Sequence, residues 1–340
     1  MNRQKITIKD VAKHAGVGVG TVSRVLNRSA GVSPKVKELV EKSIAALGYQ
    51  PDTLARSLRT KRTNTIAFFV NDISNVAFST IAKGIHEELE KHGYSLLLYN
   101  TGDTRVEEKI LESYKIRKVD GMIISLQTER NSHFVEQILE SGIPFILLDR
   151  EFPGTNANAV LSDYYNGIRE AVEYLISLGH RKIGYIGSGR EIRPARDSLR
   201  GYLDAMKLNQ LAVDEDWIKQ GDFSAGFGAA ASGELLDRKV TAIVACSYQL
   251  LIGTMETVRE RGIRIPGELS VIGFEDSDFA RLLNPAITVV KRPLLQIGRQ
   301  MAHLLLQEIN EKERSEQPVK LVVPTELIKR ESCAPPGGAN

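Results

Sequence analysis

Cysteine is nearly absent. Cys246 and Cys333 are the only two in 340 residues, and they stand too far apart in sequence to read as a disulfide framework; each reads as a single buried or tail cysteine. No apolar run approaches the ~18 residues of a membrane helix, so no membrane partner is expected. The opening residues MNRQKITIKD lack the apolar core of a signal peptide, which makes the cytoplasm the expected location. Enzyme signatures are missing as well: there is no G-x-S-x-G, no Walker loop and no H-E-x-x-H. The six histidines (14, 86, 92, 133, 180 and 303) are scattered without ligand spacing. No catalytic residue, metal or cofactor is therefore expected. Gly16-x-Gly18-x-Gly20 imitates a dinucleotide-binding signal but follows a helical stretch instead of a strand, and the lone Gly187-Ser188-Gly189 specifies little. Past Pro324 there are no leucine heptads, so no terminal coiled coil is expected.

Charge is distributed unevenly. Through Arg62 the chain carries 13 Lys+Arg against 4 Asp+Glu, a balance of +9, whereas the whole chain is only +3, so the remaining residues sum to −6. A basic head on an acidic body suits a partner covered in phosphates. Within that head, residues 7–27 read TIKDVAKHAGVGVGTVSRVLN. Thr7 and Asp10 form a capping-box pattern that starts a helix at Ile8, with Ile8, Val11, Ala12 and Ala15 on one face. Gly16 stops it, and a second helix begins at about Val19. Val22, Val25 and Leu26 form its buried stripe; Thr21, Ser23, Arg24 and Asn27 are left outward. Two short helices joined by a glycine turn fit a helix-turn-helix, although an ordinary helical hairpin has the same pattern. Ser33-Pro34 opens a third helix through Val36, Val40, Ile44 and Leu47, closed by Gly48.

The strings TVSRVLN and GYQPDTLARSL resemble the head of the lactose-repressor/galactose-repressor (LacI/GalR) family of bacterial regulators, and the likeness continues to about Cys333. The resemblance implies a fold in the α/β class: an N-terminal three-helix helix-turn-helix head, a small hinge helix, and a two-lobed parallel-sheet body similar to periplasmic sugar-binding proteins. It implies a head over 1–50, a hinge and linker over 51–63, a body over 64–335 and a tail over 336–340. The lobes are expected at about 64–162 with 291–323, and 163–290 with 324–335. It also implies a homodimer whose partners are operator DNA and a small effector. Thr7, Ile8, Val19, Gly20, Thr21, Ser23, Arg24, Asn27, Ser33, Tyr49, Ala55 and Leu58 become the expected DNA-binding residues. Leu58 holds the position of a leucine wedged between base steps; the alternative is that Leu54 and Leu58 dock on the body. Asp52 departs from the asparagine usual there.

From Thr65 onward the period changes. Apolar runs at TIAFFV, YSLLLYN, GMIIS, PFILLD, AVLS, KIGYIG, TAIVAC, LSVIGF and AITVV alternate with helical stretches such as 81–92, 107–118, 167–178 and 255–262. That alternation reads as parallel sheets covered on both faces, in two lobes instead of one large sheet. Ligands of such sheets sit beyond the carboxyl ends of the strands, so the expected effector residues are Asp72, Phe78, Asp149, Arg196, Ser198, Phe223, Tyr248 and Glu275. Carboxylates accept sugar hydroxyls and aromatic rings cover a sugar face. Each could instead cap a helix or hold a turn.

Against the sugar-binding members of the family, Ser198 stands where they commonly carry Arg, Ser247-Tyr248 where they often carry Asn-Asp, and Glu275 where they carry Asp. Arg190, Arg193, Arg196 and Arg200 gather in one segment. Arginine is suited to carboxylate and phosphate recognition, so a sugar acid or sugar phosphate held by Arg196 is the expected effector, with a neutral sugar as its rival. Two other readings remain: a transport-type or sensing protein of the same body fold, and an enzyme on a two-lobed scaffold.

Overall fold

The computed structural model describes residues 6–26, 31–49, 62–102, 106–115, 119–152, 154–189, 191–310 and 317–337. Asn27, Ala55, Leu58 and Arg190, and the expected hinge up to residue 61, lie outside the described residues. The chain divides into two compact units, Met1–Thr63 and Asn64–Asn340.

In the first unit, α1 (Ile8–Ala15) begins where Asp10 Oδ2 accepts from both the Thr7 amide (2.8 Å) and its hydroxyl (2.7 Å). It ends at Gly16, whose φ of 66° is the left-handed conformation this stop requires. α2 (Val19–Leu26) and α3 (Pro34–Leu47) follow, with Ser33 Oγ capping α3 by accepting from the Val36 amide. Val11, Ala12, Ala15, Val22, Val25 and Val40 form the buried core, and Ile8, Val36, Ile44, Leu47 and Tyr49 pack around it half-exposed. His14 Nδ1 and Ser43 Oγ, 3.0 Å apart, add a polar tie between α1 and α3.

The second unit opens with one lobe: β1 (Thr65–Val70), α4 (Val76–Lys91), β2 (Ser95–Asn100), α5 (Val106–Lys115), β3 (Gly121–Ile124), α6 (Ser132–Ser141), β4 (Phe145–Leu148) and β5 (Asn158–Ser162). The chain crosses at Asp163 into a second lobe. There it forms α7 (Tyr164–Ser177), β6 (Ile183–Ser188), α8 (Arg193–Leu208), β7 (Ile218–Gly221), α9 (Ala225–Asp237), β8 (Ala242–Ala245), α10 (Tyr248–Glu260), β9 (Ser270–Phe274), α11 (Asp278–Leu282) and β10 (Thr288–Lys291). It then returns with α12 (Leu294–Asn310) and β11 (Lys320–Val323) to the first lobe, and crosses a third time to β12 (Glu326–Ile328). The sheets run β11-β5-β4-β3-β1-β2 and β12-β10-β9-β8-β6-β7.

Every pairing is parallel except β10–β12. The antiparallel strand departs from the all-parallel expectation. β7 (IKQG), β11 and β12 were also absent from the apolar runs. They are edge strands, half-buried or exposed apart from Val323, and an edge does not require a continuous apolar stretch. α4 and α10 start five and seven residues earlier than periodicity placed them. Asn75 Oδ1 accepts from the Ala77 amide at 2.9 Å and Ser247 Oγ from the Leu250 amide at 3.2 Å, and such caps set a helix start before its apolar stripe begins.

α4 and α12 cross at a glycine contact. A Cβ on Gly298 would lie 2.2 Å from the Ile81 carbonyl oxygen, and one on Gly84 2.3 Å from that of Leu295. Backbone cannot yield as a side-chain end can. Gly298→Ala is expected to cost about 1–3 kcal/mol of stability, read as a lower urea midpoint; an unchanged midpoint would refute the tight crossing.

Candidate functional sites: the outer face of the second helix and a cleft between two lobes

On α2 the helical period separates two faces. Val22 and Val25 are buried, whereas Val19, Gly20 and Arg24 are exposed and Thr21 and Ser23 are half-buried. Arg24 therefore presents a guanidinium to solvent beside an apolar methyl surface and bare backbone. Thr7 and Ser33 hold helix starts, with their hydroxyls engaged as described, and Ile8 and Tyr49 lean on the core. An exposed helix with this face, in a head carrying the chain's positive charge, has the form that enters a major groove.

The cleft lies between the lobes of the second unit, a cavity of about 490 Å³, within the range of small-molecule sites. Phe78, Asp149, Ser198, Phe223, Tyr248 and Glu275 line it together. Asp72 and Arg196 are not among its lining residues, and each has a local reason. Asp72 Oδ1 accepts from the Ser74 amide (2.9 Å) and hydroxyl (2.7 Å), which makes it the cap of a turn. Arg196 donates to Glu129 at 2.6 Å. Its neighbours on α8 are also engaged: Arg193 with Asp197 and Glu151, and Arg200 with Asp197 at 3.0 Å and over the Tyr165 ring. The described arginines of this helix are internal ion-pair partners, so the expected anion-binding row is spent on carboxylates of the same chain.

Asp149 and Glu275 occupy matching positions just beyond β4 and β9, each with its amide donating to the neighbouring strand, to Val160 and Val290 respectively, at 2.9 Å. Both have left-handed backbone, φ 51° and 79°. For non-glycine residues this is strained, and such strain gathers at functional sites.

Arg292, just past β10, joins them. Its Nε donates to Glu275 Oε1 at 2.6 Å and its Nη2 pairs with the same oxygen. Its Nη1 reaches Asp149 Oδ2 (2.7 Å) and Tyr164 Oη (2.7 Å). The Tyr164 hydroxyl donates in turn to Asp149 Oδ2 at 3.1 Å, while Asp149 Oδ1 accepts from the Ser162 amide at 2.6 Å. Tyr164 and Phe274 stack at 5.1 Å, with the guanidinium 5.3 and 5.7 Å from their ring centres. Arg150, also buried, donates to the Leu126 and Asp149 carbonyls.

Burial shapes the charges here. It pushes the Glu275 carboxyl above its usual range, with Arg292 opposing the shift. It would lower the Arg292 guanidinium, but Glu275, Tyr164 and Asp149 outweigh burial and hold it above its ordinary value. Burial lowers Arg150 and pushes the Cys246 thiol in the cleft wall up to about 12, so that thiol stays protonated. Two buried cleft atoms, Glu275 Oε2 and Ser188 Oγ, have no hydrogen-bond partner among the described residues. A buried polar atom left unpaired is costly, and both residues line the cleft.

Arg292 was missed from sequence although its signal was present. It lies just past AITVV, one of the apolar runs whose ends were not searched for chemistry. Arg150 and Ser188 do lie at searched strand ends, but nothing in the sequence set them above their neighbours.

Beside the cleft a second contact ties the lobes. Glu129 Oε1, from the loop after β3, accepts from the backbone amides of Glu151 and Arg193, each at 3.0 Å. Its Oε2 takes Arg196, and its side chain is only 4% exposed. Arg130 pairs with Glu191 alongside.

A helix-turn-helix head followed by a two-lobed sheet body with an inter-lobe cleft defines a ligand-responsive DNA-binding regulator. Comparison agrees at both ends: residues 7–52 match the description "Bacterial regulatory proteins, lacI family", and residues 172–333 match "Periplasmic binding protein-like domain". The HTH-type transcriptional regulator DegA of Bacillus subtilis is 34% identical over 97% of this chain and 99% of its own. A solved complex of the transcriptional regulator CelR with cellobiose is 32% identical, covers 96% of this chain and 99% of that one, and superposes with a TM-score of 0.74. The lac repressor dimer bound to operator and the anti-inducer ONPF, 26% identical over 97% of this chain and all of that one, gives 0.86. The chain belongs to the lacI family of bacterial transcriptional regulators. Among the described residues, no helix is long and apolar enough to cross a membrane.

The Glu129 contact is directly testable. Glu129→Ala leaves two backbone N–H groups without their acceptor, so the body is expected to lose about 1–3 kcal/mol in urea denaturation. Arg196→Ala, which removes a half-exposed side chain, should lose clearly less. Equal losses would assign the effect to the ion pair instead.

Proposed function

We propose that this chain is a cytoplasmic, homodimeric regulator that reads its operator with the outer face of α2 and releases or grips it in response to a neutral sugar held between the lobes. The observation that carries the sugar reading is a cleft whose lining combines the acceptor side chains of Asp222, Glu275 and Ser188 with the rings of Phe78, Phe223 and Tyr248. Hydroxyl groups satisfy such acceptors and a sugar ring presents an apolar face to such rings. The solved complex of CelR with cellobiose supports the same class of ligand.

The anionic alternative loses its motive, since Arg193, Arg196 and Arg200 are all matched to carboxylates, Arg292 in the cleft is matched to Asp149 and Glu275, and a sugar acid would meet Asp222. For the dimer, Leu97 and Leu98 on the edge strand β2 are 39% and 44% exposed, and Leu282 is 83% exposed, apolar surface that a second copy would cover. A ligand that prefers one lobe arrangement shifts the DNA-binding equilibrium by its differential affinity.

Calorimetry with matched sugars and sugar acids at two salt concentrations tests the ligand class. The neutral member should bind at least as tightly as its acid, and Arg196→Ala should not change the ratio; an acid that binds tenfold tighter would overturn the neutral reading. On the DNA side, Arg24→Ala should weaken operator binding by about 1–3 kcal/mol. Undiminished affinity in a salt-controlled gel shift would remove Arg24 from the readout.

A further inference from the structure

Arg292 sits where a ligand cation would otherwise be wanted. Its guanidinium lies between carboxylates from the two lobes, Asp149 and Glu275, and engages both. All three side chains are buried, at 8%, 6% and 5% exposure. With Arg150 included, the buried group holds two cations and two anions. Without Arg292, two buried carboxylates would face each other with one cation, and that cation is turned to the Leu126 and Asp149 carbonyls. A buried charge stripped of its partner draws in whatever restores it, a proton or a cationic ligand.

We propose that Arg292 is the specificity-determining residue of the cleft: it fills with a side-chain cation the place that would select an ammonium-bearing ligand, and so reserves the cleft for uncharged hydroxyl-bearing effectors. The stacked Tyr164 and Phe274 rings beneath it and its hydrogen bonds to Tyr164 and Asp149 fix the guanidinium. Glu275 Oε1 is consumed by Arg292, so the ligand meets an already neutralised carboxylate. An ammonium group placed beside Asp149 and Glu275 in the wild-type cleft would find Arg292 close at hand and both carboxylates already balanced, with nothing there to repay its desolvation. This assignment rests on the sugar reading of the cleft for its consequence, though its charge argument stands on the ion pairs alone.

The test has one arm without sugar and one with it. In the first, full-length Arg292→Gly is melted against methylguanidinium chloride, with tetramethylammonium chloride as the salt control and the wild type alongside. Methylguanidinium should raise the melting temperature of the variant saturably in the millimolar range, while the wild type responds alike to both salts. Glu275→Gln added to Arg292→Gly should abolish most of that rescue. In the second arm, glucose, galactose and mannose and their 2-amino-2-deoxy counterparts are titrated into the wild type and into Arg292→Gln, which keeps bulk and hydrogen-bonding capacity if the glycine variant does not fold. Preference should move toward the amino sugar by tenfold or more in each pair that binds. Lack of methylguanidinium uptake by a folded Arg292→Gly, or identical amino-to-neutral ratios in wild type and Arg292→Gln, would overturn the proposal. If no sugar of either kind binds while the cation rescue holds, the sugar reading falls and the charge-setting role of Arg292 stands.

Discussion

A charge cannot be left alone in a protein interior, and the body of this regulator is arranged around that constraint. Arg292 is buried between the lobes, which is tolerable only because Asp149 arrives from one sheet and Glu275 from the other. The contact is possible where it is because the chain passes from β10 toward α12 at that point. The ion pairs thus fall beside a crossing segment. A few ångströms of lobe movement would alter the Asp149 contact while leaving the Glu275 contact, within one lobe, intact.

The parallel topology explains why the chemistry collects in one place. Apart from the antiparallel β12, the strands of each sheet end on the same side, and the residue after a strand is released from the ladder's geometry. Asp149 and Glu275 both use that release, with left-handed backbones that turn their carboxylates into the cleft. Strain of this kind persists only when the surroundings over-determine it, and here the amide bonds to Val160 and Val290 do so. Glu129, beside the cleft, adds a second tie by accepting two backbone amides and one guanidinium. The cleft and the lobe arrangement therefore draw on neighbouring polar contacts, which is the condition for a molecule held in the cleft to bias a two-state element.

Charge separates the two tasks of the chain. The head holds +9 and the remainder −6, so attraction to phosphate is confined to the part that matches the lacI-family regulatory head. In the body, the described arginines that looked available for an anion are consumed internally, on Glu129, Glu151 and Asp197. Membership of the lacI family is consistent with this division, since the matched head and body regions are distinct stretches of the chain.

Local pattern determined a good deal by itself. The capping box at Thr7, the stops at Gly16 and Gly48, and the alternation of apolar runs with amphipathic helices are set by interactions within a few residues. They specify a three-helix head and a two-lobed α/β body. The strand-end rule also reached Asp149, Phe223, Tyr248 and Glu275, because the position of a cleft follows from parallel topology. The edge strands β7, β11 and β12 were not legible, since an exposed edge has no apolar run to betray it. Which arginine faces the cleft was decided only in three dimensions. Arg196 sits in a suggestive basic run yet meets Glu129, 67 positions earlier in the chain, while the inconspicuous Arg292 meets Asp149, 143 positions away. Pairing of buried charges is settled by distances between segments remote in sequence, and those distances exist only once both sheets have formed and the chain has crossed between them.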